Sequence, residues 1–316
     1  SDHECTTPAE AIEKIRLGMY IMIREGTAAK DLDALIPVLK EKNTRKCMFV
    51  TDDRHPKDLK VHINDMVRRA VDAGVDVVKA VQIGSLNTAE YFGLKNQGAI
   101  APGYKADLLI MPDLKTFMPE IVIKDGKIAA EHGKLTQAFT KFEKPSVRSS
   151  INVRWIEPKD FEIKGTSKLV NTIEIIPHQL VTKSSVCEAK FENGLLQSNI
   201  DEDVLKIIVM ERHRATGNIG KGFVKGFNLK AGAIASTVAH DSHNMIIIGT
   251  NDKDMYTASV ELVKMQGGKV VVKDGKVVAR LPLPIAGLIS DNDIEYVLQH
   301  CEDLNKAVKN LGCSLD

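Results

Sequence analysis

Cys47-Met48-Phe49-Val50-Thr51-Asp52-Asp53-Arg54-His55-Pro56 runs from an apolar tetrad straight into two carboxylates, a guanidinium and an imidazole. Cys47 to Val50 suit a strand buried on both faces. Side chains alternate along a strand, so Asp52 and Asp53 are expected to point different ways. Pro56 then stops regular pairing and forces a loop. Charge crowded at the carboxyl end of a buried strand is where α/β barrels place catalytic groups. A strand followed by an Asp that N-caps the next helix would give the same ten residues. The stretch alone leaves both readings open.

The flanking sequence repeats the pattern. Thr7-Pro8-Ala9-Glu10 reads as an N-cap with Pro at the first helical position and an acid in the first turn, opening a helix over Pro8 to Leu17 that Gly18 closes. Met19 to Ile23 is a strand candidate ending in Arg24-Glu25-Gly26. Lys30 to Lys42 is a helix with Leu32, Leu35, Ile36 and Leu39 on one face. His62 to Ala73 is a third helix, and Val75 to Leu94 is mostly helical. Alternation of helix and strand favours parallel β/α units. Beyond Gly98 short apolar strands are punctuated by Pro and Gly. Ile121 to Ile128 and Val270 to Val278 read as hairpins turning at Asp125-Gly126 and Asp274-Gly275. Pro145 to Ser150 reads as a linker. Strands over Leu205 to Met210, Ala233 to Val238 and Met245 to Ile248 follow, with helices over Tyr256 to Met265 and Asp291 to Leu311.

Composition narrows the function classes. The 316 residues are 43% hydrophobic and 27% charged, as in ordinary globular proteins. A net charge of +1 gives no electrostatic reason to expect nucleic acid or an anionic membrane as partner. No apolar run is long enough to span a bilayer, and a secretory signal is not expected. The five scattered cysteines read as free thiols in a reducing cytoplasm. No Pro-Cys-x-x-Cys segment occurs, which excludes the Cys-ligated zinc deaminases. The chain opens Ser1-Asp2-His3-Glu4 without Met, and His3-Glu4 reads as the end of a strand whose body lies upstream. A fragment that begins partway through a domain is therefore expected.

Three clusters could carry chemistry: Asp2-His3-Glu4, Asp52-Asp53-Arg54-His55 and His240-Asp241-Ser242-His243-Asn244. Carboxylate and imidazole groups are what divalent metals bind. Each cluster also has a plain reading: a solvated chain end, a helix cap, and a polar turn between two strands. Glu211-Arg212-His213-Arg214 reads as a solvated strand end. His62, His132, His178 and His300 read as structural or surface residues.

Ser1 to Glu4, Ile23-Arg24-Glu25-Gly26, Val50 to Pro56 and Thr237-Val238-Ala239-His240-Asp241-Ser242-His243-Asn244 together resemble the adenine deaminases of the amidohydrolase superfamily. The resemblance runs in order along the whole chain. Asn87 to Gly98, Ala106-Asp107-Leu108 and Asp125-Gly126-Lys127 resemble the superfamily's general tail. It implies an α/β fold: part of a (β/α)8 TIM barrel over 1–80, a small β-sandwich domain segment over 81–145 and an α+β C-terminal domain over 146–316. It implies adenine as substrate, hydrolysed to hypoxanthine and ammonia in purine salvage. Manganese or iron is the implied metal, with zinc as a further option, in a cytoplasmic homodimer. On this resemblance His3 and Asp52 are metal ligands, and Asp52 also moves protons as general base and then general acid. Glu4 and Asp53 would hold the purine or relay protons, and His240, Asp241 and His243 are further catalytic candidates. The family's opening His-x-His is absent from this sequence, so the isolated chain is expected to be inactive. A cyclic amidase and a non-catalytic interaction module are the alternatives.

Overall fold

Ile21–Arg24 and Cys47–Val50 pair in parallel as β1 and β2 in the computed structural model, which describes residues 1–27, 29–136, 149–177 and 181–315. Ile21, Ile23, Cys47, Met48 and Phe49 are all buried, as a strand covered on both faces requires. The covering helices follow from the sequence. Helix α1 (Pro8–Arg16) is capped by Thr7, whose hydroxyl accepts from the Glu10 amide. Helix α2 (Leu32–Leu39) buries Leu32, Leu35, Ile36 and Leu39, at roughly 1.5–3 kcal/mol for each side chain removed from water. Helices α3 (Ile63–Asp72) and α4 (Val77–Gly84) complete the same core, and α5 (Leu86–Tyr91) is tied beside β2 by Asn87, whose side-chain amide donates to the carbonyls of Thr44 and Cys47.

Two compact units divide the chain, Ser1–Phe142 and Glu143–Asp316. The first is α/β. The boundary expected at 80/81 falls within α4. The segment expected as a small β-sandwich forms one four-stranded antiparallel sheet of β3 (Leu108–Ile110), β4 (Ile121–Lys124), β5 (Lys127–Glu131) and β6 (Lys134–Leu135). Asp125 and Gly126 both take positive φ between β4 and β5, the geometry of a tight two-residue hairpin turn. Residues 145–148 of the expected linker lie outside the described residues.

In the second unit, β7 (Ile163–Lys164) joins β10 (Lys190–Glu192) and β11 (Leu195–Gln197) in a small sheet. The large sheet has eight strands: β8 (Leu169–Ile175), β9 (Thr182–Glu188), β12 (Leu205–Met210), β13 (Ile219–Lys225), β14 (Ala233–Ser236), β15 (Met245–Gly249), β16 (Gly268–Lys273) and β17 (Lys276–Pro282). Their order is β17-β16-β14-β15-β12-β13-β8-β9, antiparallel except for β13 against β8. Strand alternation splits the core in two. Met245, Ile247, Val270 and Val272 face helix α6 (Asp252–Lys264), while Ile248 and Val271 pack with helix α7 (Ile294–Asn310). Asn251 caps α6, so that helix starts a turn before the expected Tyr256. Among the described residues no helix is long and apolar enough to cross a membrane.

Candidate active site

Three chain segments end side by side in the first unit. Asp2 makes a parallel bridge to Ile21, so Ser1–Glu4 continues the β1–β2 arrangement on its other edge. His3 and Glu4 follow that bridge, Arg24 ends β1, and Asp52 lies two residues past β2. The backbone at Asp52 turns left-handed, φ +52, a conformation Asp tolerates better than most residues. Gly26 lets the loop after β1 come close to the loop after β2; a Cβ there would lie 3.1 Å from the Asp53 carbonyl and 3.2 Å from that of Thr51. The Thr27 hydroxyl donates to Asp58 Oδ2 at 2.6 Å and accepts from the His55 amide at 2.7 Å, which holds the second loop in place.

The turn brings His3 and Asp52 together. His3 Nε2 lies 3.5 Å from Asp52 Oδ2 and 3.8 Å from Glu4 Oε1. Asp52 Oδ1 accepts from the Asp53 amide at 2.7 Å, and the Asp53 side chain is exposed. His3 and Glu4 are open to solvent, with side chains 47% and 61% exposed. Arg24 received no role from the sequence, yet its Nη1 is 3.1 Å from Asp52 Oδ2 and 3.7 Å from Glu4 Oε1. Arg24 is only 6% exposed, and its Nε finds no acceptor among the described residues. Leaving a buried donor unmatched costs about 1–3 kcal/mol. Asp31, buried beside this end of β1, has its carboxyl pushed up by desolvation, an effect the Arg24 charge partly offsets. Glu25 turns to the other side and pairs with Arg69 of α3 at 2.5 Å.

The pair can serve as part of a metal site. Metal–ligand bonds near 2.1 Å put two ligand atoms of one ion roughly 3–3.5 Å apart, and the His3–Asp52 spacing meets that. Imidazole and carboxylate donors suit manganese, iron or zinc. Two donors do not complete a ligand set. Asp2, Cys5 and Glu10 also gather three donor atoms. Lys14 already bonds that group, at 2.5 Å from Asp2 Oδ2 and 2.6 Å from Glu10 Oε1, and supplies the positive charge itself.

His240, Asp241 and His243 belong to the second unit, on the loop between β14 and β15. His240 and Asp241 are exposed, and the His240 and His243 rings meet edge to face at 5.0 Å. The loop is fastened from below. Arg212 Nε donates to the His243 carbonyl at 2.5 Å, and a His213 ring nitrogen lies 2.9 Å from the Ser242 carbonyl. Thr237, fully buried, donates to the Gly287 carbonyl and accepts from the Gly268 amide. The expectation that Glu211–Arg214 is a solvated strand end holds for the exposed His213 and Arg214 and is corrected at Arg212. Arg212 is 2% exposed and also donates to the carbonyls of Ser150 and Ala286. His132 faces Glu120 at the surface, His300 stacks on Tyr296, and His178 lies outside the described residues.

Glu211 gives this region a pH signature. The Thr216 amide, then those of Arg214 and His213, donate to its carboxylate and hold its pKa down from 4.5 to about 2. A depressed folded-state pKa contributes stability in full above the unfolded value and loses it as pH falls through the folded one. Glu211→Gln should therefore trail the native chain at pH about 6 and close much of that gap at pH about 3. Urea midpoints at the two pH values test this, and an unchanged gap would contradict it.

Two family models match the chain: the amidohydrolase family over residues 1–129 and the adenine deaminase C-terminal domain over residues 179–316. An adenine deaminase of Dehalococcoides mccartyi is 47% identical over 317 residues, covering 100% of this chain and 56% of the relative. Adenine deaminase 2 of Carboxydothermus hydrogenoformans is 46% identical, covering 99% and 55%, and an adenine deaminase of Desulfatibacillum aliphaticivorans is 48% identical, covering 100% and 56%. The chain thus spans about half the length of these curated relatives. A solved β-aspartyl dipeptidase from Fervidobacterium islandicum overlaps 42% of this chain and 38% of its own at 19% identity and a TM-score of 0.36, too slight a likeness to carry an argument.

Proposed function

Because the chain belongs to the adenine deaminase family of amidohydrolases, we propose that it carries part of the active site of a hydrolase converting adenine and water to hypoxanthine and ammonia. The observation that carries this reading is the approach of His3 Nε2 to within 3.5 Å of Asp52 Oδ2, from segments far apart in sequence. His3 and Asp52 hold the divalent metal, manganese or iron, with zinc as a further option. When bound, such a cation makes water nucleophilic near neutral pH. Asp52 accepts a proton from the water that attacks C6 of the purine and returns one to the departing amine. The C6–O bond forms and the C6–N bond breaks, so atoms and charge balance. Glu4, beside His3, and Asp53, adjacent in sequence, hold the purine or relay the proton. His240, Asp241 and His243 are further catalytic candidates, on the support of a loop fastened by buried Arg212.

The finer architecture belongs to the same proposal. Parallel β1 and β2 under α1–α4 support reading 1–80 as part of a (β/α)8 barrel. Residues 81–145 supply strands to a small β-sandwich, and 146–316 form the C-terminal domain. The exposed apolar side chains of β3–β6, among them Leu109 and Leu135, support a second layer over that sheet. The assembled enzyme is a cytoplasmic homodimer that takes adenine for purine salvage, without nucleic-acid or membrane partners.

Hypoxanthine formation from adenine, followed with manganese or iron present, tests the reading. A protein of the relatives' length should show turnover, and the 316-residue chain alone should show none, because one imidazole and one carboxylate hold a metal poorly. Absence of turnover in the longer protein would overturn the function.

A further inference from the structure

Arg24 is the buried cation of this site. Its Nη1 faces the oxygen of Asp52 that also faces His3, and the same nitrogen lies 3.7 Å from Glu4 Oε1. The other Asp52 oxygen is fixed by the Asp53 amide. The carboxylate is therefore held at both ends, by a backbone donor and by a guanidinium that also separates it from a second acid. Fold stability gives no reason for this choice. An apolar side chain of similar length would fill the volume without desolvating a charge. It would also leave no counterpart to the unmatched Nε. Arg69, beneath the same strand end, is a contrasting case, since its partners are Glu25 and Asp33 and it touches neither His3 nor Asp52.

We infer that Arg24 is a positioning residue: it sets the plane of the Asp52 carboxylate so that Oδ2 stays aimed at the His3 imidazole and is ready to share a cation with it. The inference rests on the proposed deaminase reading, and it deepens that reading by naming what orients the ligand. Groups that orient a metal-binding carboxylate typically change metal affinity or activity 10- to 100-fold when removed.

The test is calorimetric titration of Mn²⁺ into the metal-free protein of the relatives' length, native and with Arg24→Met or Arg69→Met, with thermal unfolding followed in each. Arg24→Met should weaken Mn²⁺ binding by about 10- to 100-fold. Arg69→Met, which loses a comparable ion pair, should leave Mn²⁺ binding within about twofold. Arg24→Lys should fall between native and Arg24→Met, since an ammonium keeps the charge but not the planar fork. Adenine turnover adds a second readout: in Arg24→Met kcat should fall while KM stays near the native value, because orientation is rewarded in the transition state. Unchanged or tighter Mn²⁺ binding in Arg24→Met would overturn the inference, and so would equal losses in the two Met variants. A native protein that binds Mn²⁺ without deaminating adenine would sink the function while leaving the Arg24 comparison readable. One that binds no Mn²⁺ would overturn both.

Discussion

Asp52→Asn in a protein of the relatives' length is expected to cut adenine turnover by about a hundred- to ten-thousandfold, the usual range for loss of a positioned proton-transfer group. Asn is the most informative replacement. It accepts the left-handed backbone found at this position, and its carbonyl oxygen can still receive the Asp53 amide. It cannot take up and return a proton, and as a neutral amide it is a poorer partner for both a cation and Arg24. Thermal unfolding should register the cost of an amide NH2 facing Arg24, while the protein stays folded and hypoxanthine formation collapses. Turnover within tenfold of native would remove Asp52 from the chemistry.

Arg212→Ala should cost the second unit about 3–5 kcal/mol, since three carbonyls each lose a charged donor at about 1–3 kcal/mol apiece. One guanidinium serves three segments, through the carbonyls of Ser150, His243 and Ala286. Truncation takes the donor from all three carbonyls, of which that of Ser150 is buried. Gly287 is shaped to this role: it has φ +72, and a Cβ there would sit 2.7 Å from Arg212 Nη1. Arg212→Lys should recover only part of the loss, because an ammonium cannot span three divergent acceptors. Urea unfolding measures the effect, and a loss below about 1 kcal/mol would mean that water replaces the side chain.

What could be read from the sequence follows from how local each signal is. Cys47–Val50 was legible because four consecutive apolar residues ending in charge have few other uses, and α2 because four of its five buried positions repeat with helical spacing. Asp-Gly fixed both hairpins because two successive positive-φ residues are cheap only for such pairs. Boundaries were less visible. The polar run Asn251-Asp252-Lys253-Asp254 looks like a loop until Asn251 is seen capping it. The site divided in the same way. His3 and Asp52 could be paired through the family resemblance, and Asp52 and Asp53 do separate, though a left-handed turn does this rather than strand alternation. Arg24 and Arg212 stayed hidden, since nothing in a one-dimensional string tells a solvated strand-end arginine from one folded inward. Their burial is decided by carboxylates and carbonyls that arrive from distant segments.

The positive φ at Asp52 makes that position answer to two selections at once. The left-handed backbone favours Gly, Asn and Asp over most other residues by about 1–2 kcal/mol, and the proposed proton transfer calls for an acid. A randomised codon at 52 screened for stability should thus be enriched in Gly, Asn and Asp, and the same library in a protein of the relatives' length, screened on adenine as sole purine source, should return Asp. Glutamate, the usual conservative exchange, should pass the first screen at some loss of stability, as Gln266 does at φ +60 elsewhere in the chain, and fail the second.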